Sequence, residues 1–273
     1  VSTSPSPAPW ERSRQPIDAA LLRRLLKGGR WAGDVAVTSR TPSTNADLAE
    51  SARRGAPDGS IVTTDHQHAG RGRLDRTFVM PPCSGIAVSA LLRPTVAMTR
   101  WSWLPLVAGL AVCDTARGAG VRDAGIKWPN DVLIGRRKIC GILLEAVQTP
   151  EPAAIVGIGL NVSLTAEERP VETATSLWLE GATDLDRTQL VSRLLHHLDR
   201  WLIIWESPDP DAIGRLRDEF IGRCVTLGQR VRIELPDGTR AEGLAETIDT
   251  AGRLVVDGEA YGAGDVTHVR AAD

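Results

Sequence analysis

Apolar positions recur with two different periods along this chain, and the change of period marks its elements. Leu21, Leu22, Leu25 and Leu26 fall at helical spacing between Ile17 and Lys27, and Gly28-Gly29 ends the run, which predicts a short amphipathic helix. Val35-Ala36-Val37 and Ile61-Val62-Thr63-Thr64 read as strands. Between them Thr44-Asn45-Ala46-Asp47 resembles a capping box, opening a helix that ends near Arg54-Gly55. Longer helical patterns run from about Trp103 to Arg117 and from Thr188 to Trp205, the second opened by Asp186. Trp101, Trp103, Trp201 and Trp205 belong to those patterns and are expected to pack in the core.

Elsewhere the period is two. Asp131-Val132-Leu133-Ile134, the turn Gly135-Arg136-Arg137 and Lys138 to Glu145 predict a hairpin. Strict alternation puts Lys138, Cys140, Ile142 and Leu144 on one face and Ile139, Gly141, Leu143 and Glu145 on the other, so that a lysine heads an apolar stripe. Such a lysine either snorkels to water or meets an anion. In the strand Ala153 to Asn161, the residues Gly157, Gly159 and Asn161 share a face of bare backbone on which a flat ligand could lie. No third glycine opens a helix there, so this is not a dinucleotide fingerprint. From Cys224 onward short strands alternate with turns at Pro236-Asp237-Gly238, Ala251-Gly252 and Asp257-Gly258, the pattern of a small β-barrel.

Composition narrows the class. A chain of 273 residues suits about two domains. The net charge of −2 creates no general field for nucleic acid. Cys83, Cys113, Cys140 and Cys224 lack C-x-x-C spacing and read as buried free thiols of a reducing compartment. No apolar run reaches transmembrane length, and the Ser/Pro-rich start has nothing to bury, so a cytoplasmic protein with a disordered tail over residues 1–15 is expected. Only about 35 residues separate the Ser/Pro-rich opening Val1 to Pro9 from Ser43, too few for a winged helix-turn-helix.

The candidate chemistry is anionic. Gln67-His68-Ala69-Gly70-Arg71-Gly72-Arg73-Leu74-Asp75-Arg76 follows a strand and interleaves glycines with arginines. Glycine lets backbone N–H groups approach a phosphate, and each guanidinium offers a planar fork of donors. Ser43 and Thr44 sit at a helix start, where capping and ligand binding are compatible. His66 and His68 alternate on a strand without a third metal-type ligand at motif spacing, which leaves a metal site the weaker explanation.

Together Ser43-Thr44-Asn45, Gln67 with Gly70-Arg71-Gly72-Arg73, Lys127-Trp128-Pro129-Asn130-Asp131, Lys138 with Gly141-Ile142-Leu143, and Gly157 to Val162 resemble the biotin protein ligases, in the family's order and over somewhat under half of the chain. The resemblance implies an α+β catalytic domain of the class II synthetase and biotin/lipoate ligase type over residues 16–222 and an SH3-like barrel over 223–273, in a short form without a DNA-binding extension. It implies activation of biotin with ATP and Mg2+, then transfer to a lysine of the biotin carboxyl carrier domain of a carboxylase, with no nucleic-acid or membrane partner. By the same resemblance, Ser43, Thr44, Asn45, Gln67, Arg71, Gly72, Arg73, Lys138 and Gly141 bind biotin. Gly70, Arg71, Arg73, Arg76, Phe78, Lys127, Asn130 and Asn161 surround ATP or the adenylate, and no residue is assigned to a metal. Lys138, Arg73 and Lys127 carry the activation chemistry, and Asp131 serves the incoming amine as base or orienter. One departure is Asp75-Arg76-Thr77-Phe78, where the family continues with glycine, arginine and an aromatic such as tryptophan. Asp75 bears on loop closure, while Phe78 keeps an aromatic surface. A lipoate or octanoate ligase or transferase and a non-catalytic biotin or adenylate sensor are the alternatives, and the chain is compatible with a monomer or a homodimer.

Overall fold

The computed structural model describes residues 8–73, 76–78, 80–235, 237–262 and 265–268. In chain order these form α1 (Pro9–Arg12), α2 (Ala19–Leu25), β1 (Val35–Thr38), α3 (Thr44–Arg53), β2 (Ile61–Thr64), β3 (Gly70–Arg71), β4 (Thr77–Phe78), β5 (Gly85–Leu92), α4 (Leu104–Gly118), β6 (Ala124–Lys127), β7 (Asp131–Ile134), β8 (Arg137–Val147), β9 (Ala153–Asn161), α5 (Arg187–Glu206) and α6 (Ala212–Ile221). They are followed by β10 (Arg230–Glu234), β11 (Arg240–Ile248), β12 (Leu254–Val256), β13 (Glu259–Tyr261) and β14 (Asp265–His268). A seven-stranded sheet runs β1-β2-β5-β9-β8-β7-β6, with only the β1/β2 pair parallel. The last five strands make an antiparallel sheet in the order β13-β12-β11-β10-β14. This is the mixed α+β architecture with a small C-terminal β domain that the sequence implies. Among the described residues no helix is long and apolar enough to cross a membrane.

Alternation along the strands divides the large sheet into two faces. Ile86, Val88, Ala90 and Leu92 of β5 and Ala154, Val156, Ile158 and Leu160 of β9 join the main core, under α4 and α5. The opposite face is covered over only part of its length: Leu48 and Ala52 of α3 pack on Val62, Leu91, Val147, Ala153 and Ile155. Beyond α3 the same face continues as Ala87, Ser89, Gly157 and Gly159, and these small side chains leave room. Burial of apolar surface therefore ends where a ligand cavity begins.

Ser43 caps α3, its hydroxyl accepting from the Ala46 N–H at 3.4 Å, so Thr44 is the first helical residue and faces inward. Asp186 caps α5 through the Gln189 N–H at 3.0 Å. Strict alternation on β8 fails at one point. Val132 pairs with Cys140 but Leu133 with Lys138, so Ile139 is an extra, bulged residue. Ile139 and Cys140 both enter the core, and Lys138 turns to the face of Gly141 rather than that of Cys140. Three cysteines are buried as expected, whereas Cys83 is only half-buried, at a left-handed φ of 58°. Part of the segment expected to be disordered is ordered instead: Pro9–Arg12 form a helical turn, and Arg14 stacks 4.6 Å from the Trp10 ring and pairs with Glu168 at 2.8 Å. A cation stacked on an indole and paired with a carboxylate gives this polar segment the anchor that its composition lacks. Residues 1–7, Leu74, Asp75 and Pro236, on which other expectations fell, lie outside the described residues.

One buried carboxylate ties α4 to α5 and to the start of the C-terminal domain. Asp114 accepts from Arg223 at 2.7 Å, Arg200 at 2.6 Å and the Trp201 indole at 2.9 Å. Burial alone would raise its pKa, but the Trp201 hydrogen bond and the two guanidinium groups outweigh it and hold the carboxyl below its ordinary value. A depressed carboxylate stabilises the fold fully above its unfolded pKa and loses that contribution as pH falls through the folded value. Asp114→Ala, which takes the buried carboxylate from Arg223 and leaves it only the exposed Glu219 at 3.1 Å, is expected to lower unfolding stability by about 3 kcal/mol near neutral pH. In urea titrations the difference from the wild type should shrink below about pH 4, where aspartate begins to protonate.

Candidate active site

The cavity on the uncovered face has a volume of about 150 Å³ and is lined by every strand that ends there. Its floor is β9 from Gly157 to Gly159, β8 from Gly141 to Leu143, and Ala87 of β5. Ser43, Thr44 and Asn45 at the start of α3 form one wall together with Gln67, and Arg71, Gly72, Arg73, Arg76, Thr77 and Phe78 form the other. Asn130, Asp131 and Lys138 close the far end.

The α3 end is a network of neutral side chains around a buried serine, backed by the Glu145 carboxylate outside the cavity lining. Ser89 Oγ lies 2.8 Å from Thr44 Oγ1 and 2.6 Å from Asn45 Oδ1. The Thr44 N–H donates to Gln67 Oε1 at 2.9 Å, and Asn45 Nδ2 donates to Glu145 Oε2 at 2.6 Å. Because Gln67 Oε1 serves the backbone, its amide N–H groups remain as donors. The glycines of β9 are required by close approach. A Cβ at Gly157 would stand 2.2 Å from Asn45 Oδ1, and one at Gly159 would stand 2.6 Å from the Phe78 ring. The bare face is thus occupied by Asn45 and by the aromatic surface of the loop.

The opposite end is ionic. Lys138 Nζ meets Asp131 Oδ1 at 2.6 Å. Asn130 is locked to β8 twice, its carbonyl accepting from Ile142 N–H and its Nδ2 donating to Ile142 O, each at 2.9 Å. Its Oδ1 accepts from Arg73 at 3.2 Å, tying the loop to this end. Arg71 approaches Glu145 Oε1 at 3.4 Å. Among the described residues, Arg71, Arg73, Arg76 and Lys138 face the cavity against one lining carboxylate, Asp131, so the site favours an anion. On the core side of β8, behind Lys138, burial pushes the Cys140 thiol far up.

Three expected residues do not line the cavity. Lys127 pairs in register with Asp131 across β6 and β7, and its charge acts on His268 of β14. That imidazole is lowered in pKa first by burial, then by Lys127 and Arg136. Asn161 is buried with its amide committed to Thr175 O at 2.9 Å. Gly70 serves the loop's geometry, since a Cβ there would stand 2.4 Å from the Gln67 amide nitrogen and 2.5 Å from Phe78 O. Ser89 and Glu145 were not singled out from the sequence. The available signals were a serine inside the otherwise apolar β5, and the position of Glu145 on the Gly141 face. His66 is lowered in pKa by burial, Arg40 and His68, and the described residues hold no cluster of three or more His, Cys, Asp or Glu side chains fit for a metal.

Comparison with known proteins gives a consistent picture. Residues 37–163 match the Biotin/lipoate A/B protein ligase family, and residues 226–269 match the Biotin protein ligase C terminal domain. A biotin–[acetyl-CoA-carboxylase] ligase of Mycobacterium tuberculosis is 39% identical over 270 residues, covering 95% of this chain and 98% of that one. The Paracoccus denitrificans protein of the same name is 32% identical over 231 residues, covering 81% and 93%. Among solved structures, the biotin protein ligase from Aquifex aeolicus in complex with biotin and ATP shares the fold at a TM-score of 0.71 and 24% identity, over 87% of this chain and 99% of that one.

The floor glycines are expected to differ in tolerance. Gly157→Ala meets Asn45, which Ser89 and Glu145 hold in place, and should cost about 1–3 kcal/mol in unfolding stability. Gly159→Ala meets a ring on a surface loop and should cost less. Gly141→Ala touches only the end of the Lys138 side chain, at 3.3 Å, and should stay within about 0.5 kcal/mol. Chemical denaturation of the three variants checks this order.

Proposed function

Because the chain belongs to the biotin protein ligase family, we propose that this cavity joins biotin to ATP as biotinyl-5'-AMP and then passes the biotinyl group to a lysine of a biotin carboxyl carrier domain. The observation that carries the proposal is the polarity of the cavity: a neutral hydrogen-bonding end at Ser43–Asn45 and Gln67, and a cationic end at Lys138 and the arginine loop. Biotin has the same polarity, with a neutral ureido ring at one end and a carboxylate at the other. The ring offers one acceptor and two donors, which suits the Gln67 amide N–H groups and the hydroxyls of Ser43 and Thr44. Asn45 fixes this end through Ser89 and Glu145.

In the first step a carboxylate oxygen of biotin attacks the α-phosphorus of ATP. The bond from that phosphorus to the bridging oxygen breaks, and its electron pair leaves with pyrophosphate. Two anions must be brought together, so charge neutralisation and alignment dominate the catalysis. Lys138 binds the carboxylate and the nearby phosphate oxygen, exchanging its contact with Asp131 for them. Arg71, Arg73 and Arg76 close over the adenylate with Phe78 as the aromatic cover, while the Gly72 N–H, which donates to Arg76 O at 2.6 Å, shapes the loop that carries them. Asn130, already linked to Arg73, is a better candidate for the nucleotide than Asn161, whose amide is committed. Lys127 contributes charge from behind Asp131 rather than by lining the cavity. No described side-chain cluster is assigned to a metal, and magnesium bound to the triphosphate would supply further charge neutralisation there.

In the second step the carrier lysine attacks the acyl carbon, the bond to the phosphate oxygen breaks, and AMP leaves. A free lysine with a pKa near 10.4 is neutral in only about one molecule in 2,500 at pH 7, so capture and orientation of the amine matter. Asp131, released by Lys138 in the first step, takes the incoming ammonium, and the proton passes to solvent as the amine reacts. The catalytic unit is assigned to residues 16–222 and the barrel to 223–273. The carrier belongs to an acyl-CoA carboxylase, which places the reaction in the cytoplasm and requires neither nucleic acid nor membrane.

Pyrophosphate should be released with ATP and biotin, and at least about 100-fold more slowly with lipoate in its place, since lipoate lacks the ureido donors and acceptor. No release with biotin would refute the assignment. Lys138→Ala should lower the adenylation rate by about 10²–10³-fold in single-turnover assays. Arg73→Ala should form the adenylate but lose it to solvent, read as free biotinyl-AMP in the filtrate, whereas the wild type retains it.

A further inference from the structure

The segment that brings Asn130 and Asp131 to the cavity is held from the far side by the C-terminal domain. Arg223 to Thr226, the lead-in to the barrel, runs beside β6 like an added parallel strand: the Ile126 N–H donates to Arg223 O at 2.7 Å, and the Val225 N–H donates to Ile126 O at 2.9 Å. The next rung of a parallel ladder would join the Trp128 N–H to a backbone carbonyl. Instead, that N–H donates to the side-chain oxygen of Thr226 at 3.0 Å. Both residues are buried, Thr226 at 0% and Trp128 at 2% exposure. The Trp128 indole donates to Gly252 O at 3.1 Å, so the barrel grips this residue by backbone and by side chain.

Only Pro129 separates Trp128 from Asn130, whose carbonyl and amide are both bound to Ile142. The segment is therefore a short span fixed at two ends, with Asp131 and its partner Lys138 at the cavity side. We infer that Thr226 is a positioning residue for adenylation: its hydroxyl oxygen, by accepting the Trp128 N–H, fixes the placement of Asn130 and Asp131 against Lys138. A buried N–H that loses its acceptor must find another or remain unsatisfied, and either outcome moves the span. Misplacement of reacting groups by about 1 Å can cost 10²-fold in rate. The neutral end of the cavity, built on α3, β5 and β9, does not share these contacts. This inference rests on the proposed adenylation reaction.

The test compares Thr226→Val and Thr226→Ser with the wild type in the full chain. Two quantities are read: the single-turnover rate of pyrophosphate release with biotin and ATP, and the affinity for biotin alone by calorimetry. Thr226→Val is expected to slow pyrophosphate release about 10-fold or more while leaving the biotin dissociation constant within about twofold. Thr226→Ser, which keeps the acceptor, should return the rate to within about threefold of the wild type. A valine variant as fast as the wild type, a parallel loss of rate and biotin affinity, or a serine variant as slow as valine would each overturn the positioning role. If the valine variant does not fold, Thr226→Ala takes its place with the same expectations, and loss of the fold in both would show that the hydroxyl is merely structural. A wild type that releases no pyrophosphate would instead refute the adenylation assignment.

Discussion

The contact between Lys138 and Asp131 decides what the rest of the site can be. A lysine in regular alternation with Cys140 and Ile142 would point into the apolar core, where an ammonium is costly without a partner. The bulge at Ile139 resolves this conflict: it sends an extra apolar side chain into the core and turns Lys138 outward to a carboxylate 2.6 Å away. The ammonium then lies at the end of a cavity, half-exposed, in reach of an anion. Every proposed role for the arginine loop presupposes this placement, because a carboxylate and an α-phosphate brought together by arginines alone would lack the ammonium that meets both anions.

Much of the scaffold was legible because burial follows simple periods. The run from Ala153 to Asn161, the hairpin around Gly135 and the helix opened by Asp186 appear where alternation or helical spacing puts them. The site was legible in part, because glycine and arginine in one loop have few purely structural uses. What escaped depends on three-dimensional register. Nothing local in Lys138-Ile139-Cys140 announces a bulge, since all three residues suit a regular strand. Asn161 shares a face with Gly157 and Gly159, yet β9 ends there and its amide meets Thr175 instead of the cavity. Arg14 is anchored by Ser163 and Glu168, partners about 150 residues away that no local pattern connects to a Ser/Pro-rich segment.

Close packing and ligand space are set by the same strand. β9 is covered by α3 at Ala153 and Ile155 and becomes bare at Gly157 and Gly159, so one face passes from core to cavity over two turns of the pleat. The bareness is already used: Asn45 stands over Gly157 and Phe78 over Gly159. Asn45 is fully engaged, with Ser89 at its oxygen and Glu145 at its nitrogen, and this rigidity suits a wall that must hold a neutral ring in one orientation. Phe78 belongs instead to a two-residue strand, β4, paired only with β3. A ligand entering from this side therefore meets a wall fixed through Ser89 and Glu145 on one side and, on the other, a two-stranded turn linked to the far end by Arg73 and Asn130.

Charge balance connects the two proposed steps. In the ligand-free site Lys138 and Asp131 neutralise each other, so the cavity has no unpaired cation at that point. An arriving carboxylate competes with Asp131 for one ammonium, and its advantage must come from the added phosphate oxygens and from the arginines that close over them. In the proposed first step the adenylate takes Lys138, which would leave Asp131 as a carboxylate without that partner beside a newly formed electrophile. That is the condition under which a second ammonium, the carrier's lysine, is attracted to the site. The order of events thus follows from a single exchange of partners: the lysine substrate gains its binding group only after biotin has been activated.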